Sequence, residues 1–306
     1  MSRVDSIPSI AKLDQPEKRR AHSLWQVALV HFLHDRLSML ALTTLLLLTV
    51  VSVVAPPILE STFGLNATRT AVTDRFQPPG TEGHLLGTDH LGRDQLIRLL
   101  YGGRISLAIA YSASILAVLI GVTLGLASGY YGGGVDDLIT WLINTLNAVP
   151  PLFLLLVAAA LWQPSAEVLI LILAVLGWLG TCRLVRGETL TLKERDFVLA
   201  ARAVGASSGR IAVIHILPNI MPLIIVTLTI IAGNLILTES GLSYLGVGVQ
   251  PPTPTWGNML TDSRSYFVTG IHLVVWPGIF ILVTVLCFYL VGDGLRDALD
   301  PRRNRR

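Results

Sequence analysis

Few side chains in this sequence can do chemistry, and their spacing excludes most reactions. Lysine occurs only at Lys12, Lys18 and Lys193, and none closes a G-x-x-x-x-G-K-[S/T] frame. The chain therefore lacks that phosphate cradle for ATP hydrolysis. No H-E-x-x-H or G-x-S-x-G stretch occurs either. His84 and His90 lie six apart without a convergent carboxylate or cysteine, and read as unliganded. Cys182 and Cys287 both sit in apolar runs, far apart in the chain, and read as packing residues rather than a disulfide or metal knuckle. What remains is mostly neutral. Asn144 and Asn147 are three apart with Thr140 one turn earlier, Pro150-Pro151 then break that helix, and Asn234 stands alone in another apolar run. Glu167 and Glu239 mark the edges of apolar runs. Such groups either bond one helix to another or line a path for a polar solute. An ion-coupled carrier places ionisable groups inside its spans, and their scarcity here counts against that class.

The elements that must position these groups are membrane helices. Of 306 residues, 52% are apolar and only 14% charged, with a net charge of +3. A water-soluble domain carries about 25% charge. Mean hydropathy is +0.63. The composition excludes a cytosolic enzyme and a disordered chain. About 20 apolar residues cross about 30 Å of hydrocarbon as a helix. Six runs qualify: Leu37–Ala55, Ile105–Gly129, Leu138–Leu161, Val168–Cys182, Ile220–Thr238 and Ile271–Gly292. The fourth is short and must borrow flanking residues. The first is preceded by a tail too long for a signal peptide and reads as a retained anchor. Gly121, Gly125 and Gly129 form a small-residue ladder for helix packing.

Six spans put both termini on one side, and basic residues choose it. Arg3, Lys12, Lys18, Arg19, Arg20 and Arg36 precede the first span; Arg183, Arg186, Lys193, Arg195, Arg202 and Arg210 follow the fourth; Arg296, Arg302, Arg303, Arg305 and Arg306 follow the sixth. These seventeen face only six on the other side: Arg69, Arg75, Arg93, Arg98, Arg104 and Arg264. The bias predicts cytoplasmic termini. It also accounts for a pI near 9.0 without nucleic acid. Outside, residues 56–104 form one loop with Pro56-Pro57 and Pro78-Pro79-Gly80 as breakers. Asp94 and Arg98 predict a short helix that Gly102-Gly103 end. A second outer loop, about Glu239 to Gly270, contains Pro251-Pro252-Thr253-Pro254 and is expected to be irregular over much of its length.

Inside, Arg183–Asn219 is the informative stretch. Ala200, Ala201 and Ala203 precede Gly205, which can end a helix in the left-handed conformation. Ser207 or Ser208 can cap a second helix through Ile211, Ile214 and Leu217, which then meets Pro218. Two short helices at an angle are expected. Their small residues suit either docking of a partner backbone or an amphipathic element lying on lipid.

Four blocks carry a resemblance. Asp196-Phe197-Val198-Leu199-Ala200-Ala201-Arg202-Ala203-Val204-Gly205-Ala206-Ser207, followed by His215-Ile216-Leu217-Pro218-Asn219, resembles the EAA loop of ABC importer permeases. Leu86-Gly87-Thr88-Asp89, Gly92-Arg93-Asp94 and Gly103-Arg104-Ile105-Ser106-Leu107 are similar to the segment before the second span in the dipeptide, oligopeptide and nickel branch. Gly241–Pro252 with Trp256-Gly257-Asn258-Met259, and Gly292–Pro301, complete the set over about residues 30–303. Leu199 replaces the family's Glu of Glu-Ala-Ala, with Asp196, Arg195 and Arg202 as nearby polar substitutes.

The resemblance implies an all-α protein with six transmembrane helices and the type I ABC importer (methionine-permease-like) core. Its parts would be a cytoplasmic tail (1–36), a first helix (37–55), an outer loop (56–104), a five-helix core with its coupling loop (105–292, loop 183–219) and a C-terminal tail (293–306). It selects docking for the loop, with Asp196, Leu199, Ala200, Ala201, Arg202, Gly205, Ala206 and Ser207 meeting the ATPase. Asn144, Asn147, Asn234 and Glu239 are expected along the pathway. The chain would form half of a peptide pathway in a prokaryotic inner membrane. Implied partners are a homologous permease subunit in a heterodimer, two ABC ATPase subunits, an extracytoplasmic substrate-binding protein and membrane lipid. No cofactor, metal or nucleic acid is expected. A nickel or other small-solute importer of the same branch is the alternative; an ion-driven carrier and a membrane-embedded enzyme fit the residues less well.

Overall fold

A computed structural model describes residues 24–81, 83–162 and 165–300. Most of the tail basic residues, including Lys18-Arg19-Arg20 and Arg302-Arg303, lie outside the described residues. Among the described residues there are helices, turns and two isolated bridges, Thr81 with His84 and Thr88 with Asp94, but no strand. The order is α1 (Leu24–His34), α2 (Arg36–Phe63), α3 (Gln95–Tyr131), α4 (Gly133–Asn147), α5 (Pro151–Leu161), α6 (Ala166–Leu192), α7 (Asp196–Ala203), α8 (Ser208–Arg210), a π-helical turn (Ile211–Ile216), α9 (Leu217–Tyr244), α10 (Trp256–Ser263) and α11 (His272–Leu299).

Short polar side chains set the starts. Asp35 accepts from the Leu37 and Ser38 amides at 3.3 Å each, Asp94 from Ile97 at 3.0 Å and Ser165 from Val168 at 3.3 Å. Each satisfies amides that the first helical turn leaves unpaired. Among the described residues, five helices are long and apolar enough to cross a membrane: Arg36–Phe63, Gln95–Tyr131, Ala166–Leu192, Ser208–Tyr244 and His272–Leu299.

The third expected span, Leu138–Leu161, is broken where Pro150-Pro151 predict it. Gly133–Asn147 and Pro151–Ala158 meet at a bend of 86°. Pro150 and Pro151 supply no amide donors, and proline disfavours helical backbone in the residue before it. Pro151 then starts α5, where a missing N–H is harmless. Other breakers fail to break. Pro56 and Pro57 lie inside α2, which runs on to a left-handed Gly64. Gly102-Gly103 do not end a short outer helix; that segment and the second span are one helix of 37 residues. The two glycines are instead points of close approach, where a Cβ on Gly102 would stand 3.2 Å from the Thr255 carbonyl carbon and one on Gly103 2.8 Å from the Trp256 ring. Pro218 does not end its helix either. The π turn precedes it, with the Leu217 amide bonded back five residues to Ala212 O, and Ser208–Tyr244 is continuous. Within the tail expected at 1–36, α1 was not foreseen.

The bundle is built on α3. Cβ atoms added at Gly121, Gly125 and Gly129 would lie 2.6 Å from Thr181 Cβ, 2.8 Å from Val185 Cβ and 2.7 Å from Thr189 Cβ. Only glycine lets α3 and α6 approach this closely. At the α3 N-terminus, the buried Asp89 carboxylate accepts from the Leu91 and Arg93 amides at 2.8 and 2.9 Å and from Arg93 Nε at 2.6 Å. His272 Nε2 donates to Thr88 O at 3.1 Å, tying this folded loop to α11. The second loop is more ordered than its prolines suggest. It holds α10, and Trp256 Nε1 donates to Leu99 O at 2.9 Å.

Candidate functional site

The α6 helix extends past its apolar core to Leu192 and delivers α7 at one end of the bundle. The turn after α7 is fixed by backbone stereochemistry. Gly205 has φ +84°, its amide bonds to Arg202 O at 3.0 Å, and the Ala206 amide bonds to Ala201 O at 3.1 Å. These two bonds are a Schellman motif, which needs a left-handed residue at the glycine. Ser207 Oγ then accepts from the Arg210 amide at 3.4 Å and starts the next helix. The helix–glycine–helix reading around Gly205 matches this geometry.

One face of α7 is buried and the other is open. Val198 and Ala201 pack with Ile211, Ile216, Val185 and Leu126, and Ala206 is half-buried against the same cluster. Asp196, Leu199, Ala200, Arg202, Gly205 and Ser207 are exposed. Val204, at the tip, is 85% exposed, and Leu199 and Phe197 also present apolar surface. No atom lies within 4 Å of a Cβ placed on Gly205. The arrangement is a protruding knuckle of small and apolar side chains with Asp196 and Arg202 on it. Leu199, where a Glu was expected, puts an aliphatic group on that face.

The four intramembrane polar residues do not converge. Asn144 and Asn147 are exposed on α4, and Asn147 Nδ2 donates to its own helix at Ile143 O, 2.8 Å away. Asn234 is exposed on α9, and Tyr289 Oη donates to its Oδ1 at 2.6 Å. Glu239 is different. Its side chain is wholly enclosed, not at an exposed edge, so the lining expectation does not fit it. Ser243 Oγ donates to its Oε1 at 2.8 Å, and Ser106 Oγ to its Oε2 at 3.2 Å. Ser106 Oγ also accepts from the Trp256 amide at 3.2 Å, so one carboxyl ties α9 to α3 and to the start of α10. The nearby hydroxyls of Ser240 and Ser243 were the available signal; Ser106 and Trp256 were too distant in sequence to connect.

Sequence reasoning also missed a pair near α7. Arg186 on α6 donates through Nε and Nη2 to Asp136 on α4, and Ser128 of α3 donates to the same carboxylate. His84 likewise has a carboxylate after all, with Nδ1 2.8 Å from Asp94 Oδ2. Among the described residues no three His, Cys, Asp or Glu side chains form a metal-holding group.

Residues 121–305 match the family described as "Binding-protein-dependent transport system inner membrane component", and residues 23–79 match the "N-terminal TM domain of oligopeptide transport permease C". The chain is 37% identical over 282 residues to the dipeptide transport system permease protein of Alkalihalophilus pseudofirmus, covering 92% of this chain and 91% of the relative. It is 36% identical over 297 residues to the oligopeptide transport system permease protein of Bacillus subtilis, covering 96% of each. The Escherichia coli K12 oligopeptide permease protein is 37% identical over 280 residues, covering 92% of each.

Proposed function

The chain belongs to the binding-protein-dependent transport system inner membrane components, and from that premise we propose that it forms half of a peptide translocation pathway powered by separate ATPases. It is an all-α, multi-pass membrane permease subunit of an ABC importer. A permease of this kind works with ATPase and substrate-binding partners. The finer assembly is a heterodimer with a homologous permease, two ATPases on the cytoplasmic side, a binding protein outside and lipid around the spans.

The observation that carries the coupling role is the exposed Gly205 knuckle. Its outward residues Ala200 and Gly205 let a partner backbone approach closely, Asp196 and Arg202 offer polar contacts, and Ala201 and Ala206 anchor it. Ser207 holds the second helix in place. Both termini and this knuckle lie on the cytoplasmic side in this reading, which follows the basic-residue bias. ATP binding closes the two ATPases, the knuckle moves with the groove that holds it, and α6 and α3 move with the knuckle because their glycine contacts leave no slack. The pathway then alternates its opening as a rigid-body transition. Asn144, Asn147 and Asn234 are the pathway candidates.

Uptake of labelled di- and oligopeptides by proteoliposomes holding the chain, its partner permease, both ATPases and the binding protein tests the reading. ATP-dependent accumulation that stops when this chain is omitted is expected. Accumulation driven by an ion gradient without ATP would overturn it. The chain purified alone should hydrolyse no ATP, since it lacks the P-loop frame.

A further inference from the structure

We propose that the Asn234 carboxamide, held in orientation by Tyr289, is a contact point for backbone carbonyls of the transported peptide; this rests on the reading of the chain as a peptide permease. Asn234 lies ten residues before the end of α9, about 15 Å along the axis and well inside the hydrocarbon thickness. It belongs to an exposed row at helical spacing: Ile230, Asn234, Leu237, Gly241 and Tyr244. Tyr289 occupies its Oδ1, while the Nδ2 hydrogens have no acceptor among the described residues. Lipid tails cannot satisfy an amide donor, so this row does not face lipid.

The neighbouring helix draws the contrast. The exposed row of α11 reads Val275, Ile279, Leu282 and Leu286, which suits lipid, and changes character at Tyr289. Beside Tyr289 a cleft of about 290 Å³ opens between α9 and α11, lined by Val226, Ile230, Tyr289, Gly292, Asp293 and Arg296. Asp293 and Arg296 are exposed and charged, so that end of the cleft holds water. Asn234 lies one turn beyond Ile230 of this lining and bonds Tyr289, another of its residues, with two uncommitted donors. A neutral amide complements any peptide carbonyl, whatever the side chain. It also binds weakly enough to release, as a transport path requires. Tyr289 is a positioning residue: by fixing Oδ1 it turns Nδ2 toward the open face.

The test uses the assembled importer in proteoliposomes, carrying Cys182→Ala and Cys287→Ala so that the two buried native thiols do not contribute. Asn234→Cys is exposed to a charged, membrane-impermeant methanethiosulfonate with and without saturating peptide and binding protein. Modification that slows when peptide is present is expected, while Leu282→Cys on the lipid-facing row stays unmodified. No modification at Asn234→Cys, or a rate indifferent to peptide, overturns the proposal; the partner permease then covers the amide. If the parent complex takes up no peptide at all, the permease reading fails first, before any cysteine is read. Tyr289→Phe tests the positioning role separately. The half-saturating peptide concentration should rise roughly three- to tenfold, the worth of one hydrogen bond, with a much smaller change in maximal rate. A fall in maximal rate with unchanged half-saturation overturns it.

Discussion

Arg186 holds Asp136 with two near-parallel contacts, Nε to Oδ1 at 2.5 Å and Nη2 to Oδ2 at 2.6 Å. The pair joins α6 to α4 just before α6 hands over to α7. Planar guanidinium and planar carboxylate fit each other in a way that a lysine ammonium cannot reproduce. Arg186 is 32% exposed and Asp136 18%, so solvent screens part of the attraction. Arg186→Lys should therefore cost about 1 kcal/mol, and a double-mutant cycle with Asp136→Asn should return a coupling of about that size that shrinks in high salt. Thermal unfolding of the purified complex measures it; zero coupling would leave the pair without a structural role.

Gly205 is the position where conformation and docking meet. Its φ of +84° costs a non-glycine residue about 1–2 kcal/mol, but no side chain crowds it. Gly205→Trp should leave the subunit assembled, since the knuckle projects outward, and should separate ATP hydrolysis from peptide uptake. Uptake and hydrolysis are measured on the same proteoliposomes. Normal uptake per ATP in the variant would remove the knuckle from the coupling path.

How much of this was legible in the sequence follows from how local each determinant is. The α7–Gly205–Ser207 turn was legible because a left-handed glycine and a serine cap act within a few residues. The break in Leu138–Leu161 was legible at Pro150-Pro151, but the length criterion, which counts apolar residues and not their direction, carried no sign of an 86° bend. Pro150-Pro151 were visible, yet Pro56-Pro57 sit inside a continuous helix. A proline pair alone therefore does not decide between bend and rod; packing does. The enclosure of Glu239 was not legible at all. Its cage needs Ser106, 133 residues away in sequence.

That cage predicts an asymmetric response. Glu239→Leu leaves the Ser106 and Ser243 hydroxyls enclosed without their acceptor, at a cost of about 1–3 kcal/mol. Glu239→Gln keeps an acceptor oxygen and the side-chain shape, and should cost less than about 1 kcal/mol. Melting temperatures of the two variant complexes give the comparison. A leucine variant as stable as the glutamine variant would mean the hydroxyls find other partners.

The glycine ladder on α3 should tolerate nothing larger. A Cβ at Gly121 would sit 2.6 Å from Thr181 Cβ and 2.9 Å from the Trp178 carbonyl oxygen, and neither backbone can yield cheaply. Gly121→Val should force α3 and α6 apart, with a loss of about 1–3 kcal/mol or failure to accumulate in the membrane. Thr181→Ala in the same chain should recover part of that loss, because the Thr181 Cγ2 methyl, 2.9 Å from that Cβ, is then gone. Abundance in membranes and thermal stability of both chains check this; no recovery would leave the whole clash with Thr181 Cβ and the Trp178 carbonyl, which the alanine keeps.

The π turn at Ile211–Ile216 winds one more residue into its rod than an α-helix would. An α-helix advances 100° per residue, so everything beyond the turn is rotated by about that angle relative to α8. Asn234 meets Tyr289, and Glu239 its hydroxyls, only because of that added phase. Deleting Val213 from this turn would preserve every side chain named above and aim those beyond it at the wrong neighbours. The turn sets the angular registration between the knuckle and the far half of the span, and there a one-residue deletion does harm that few substitutions could match.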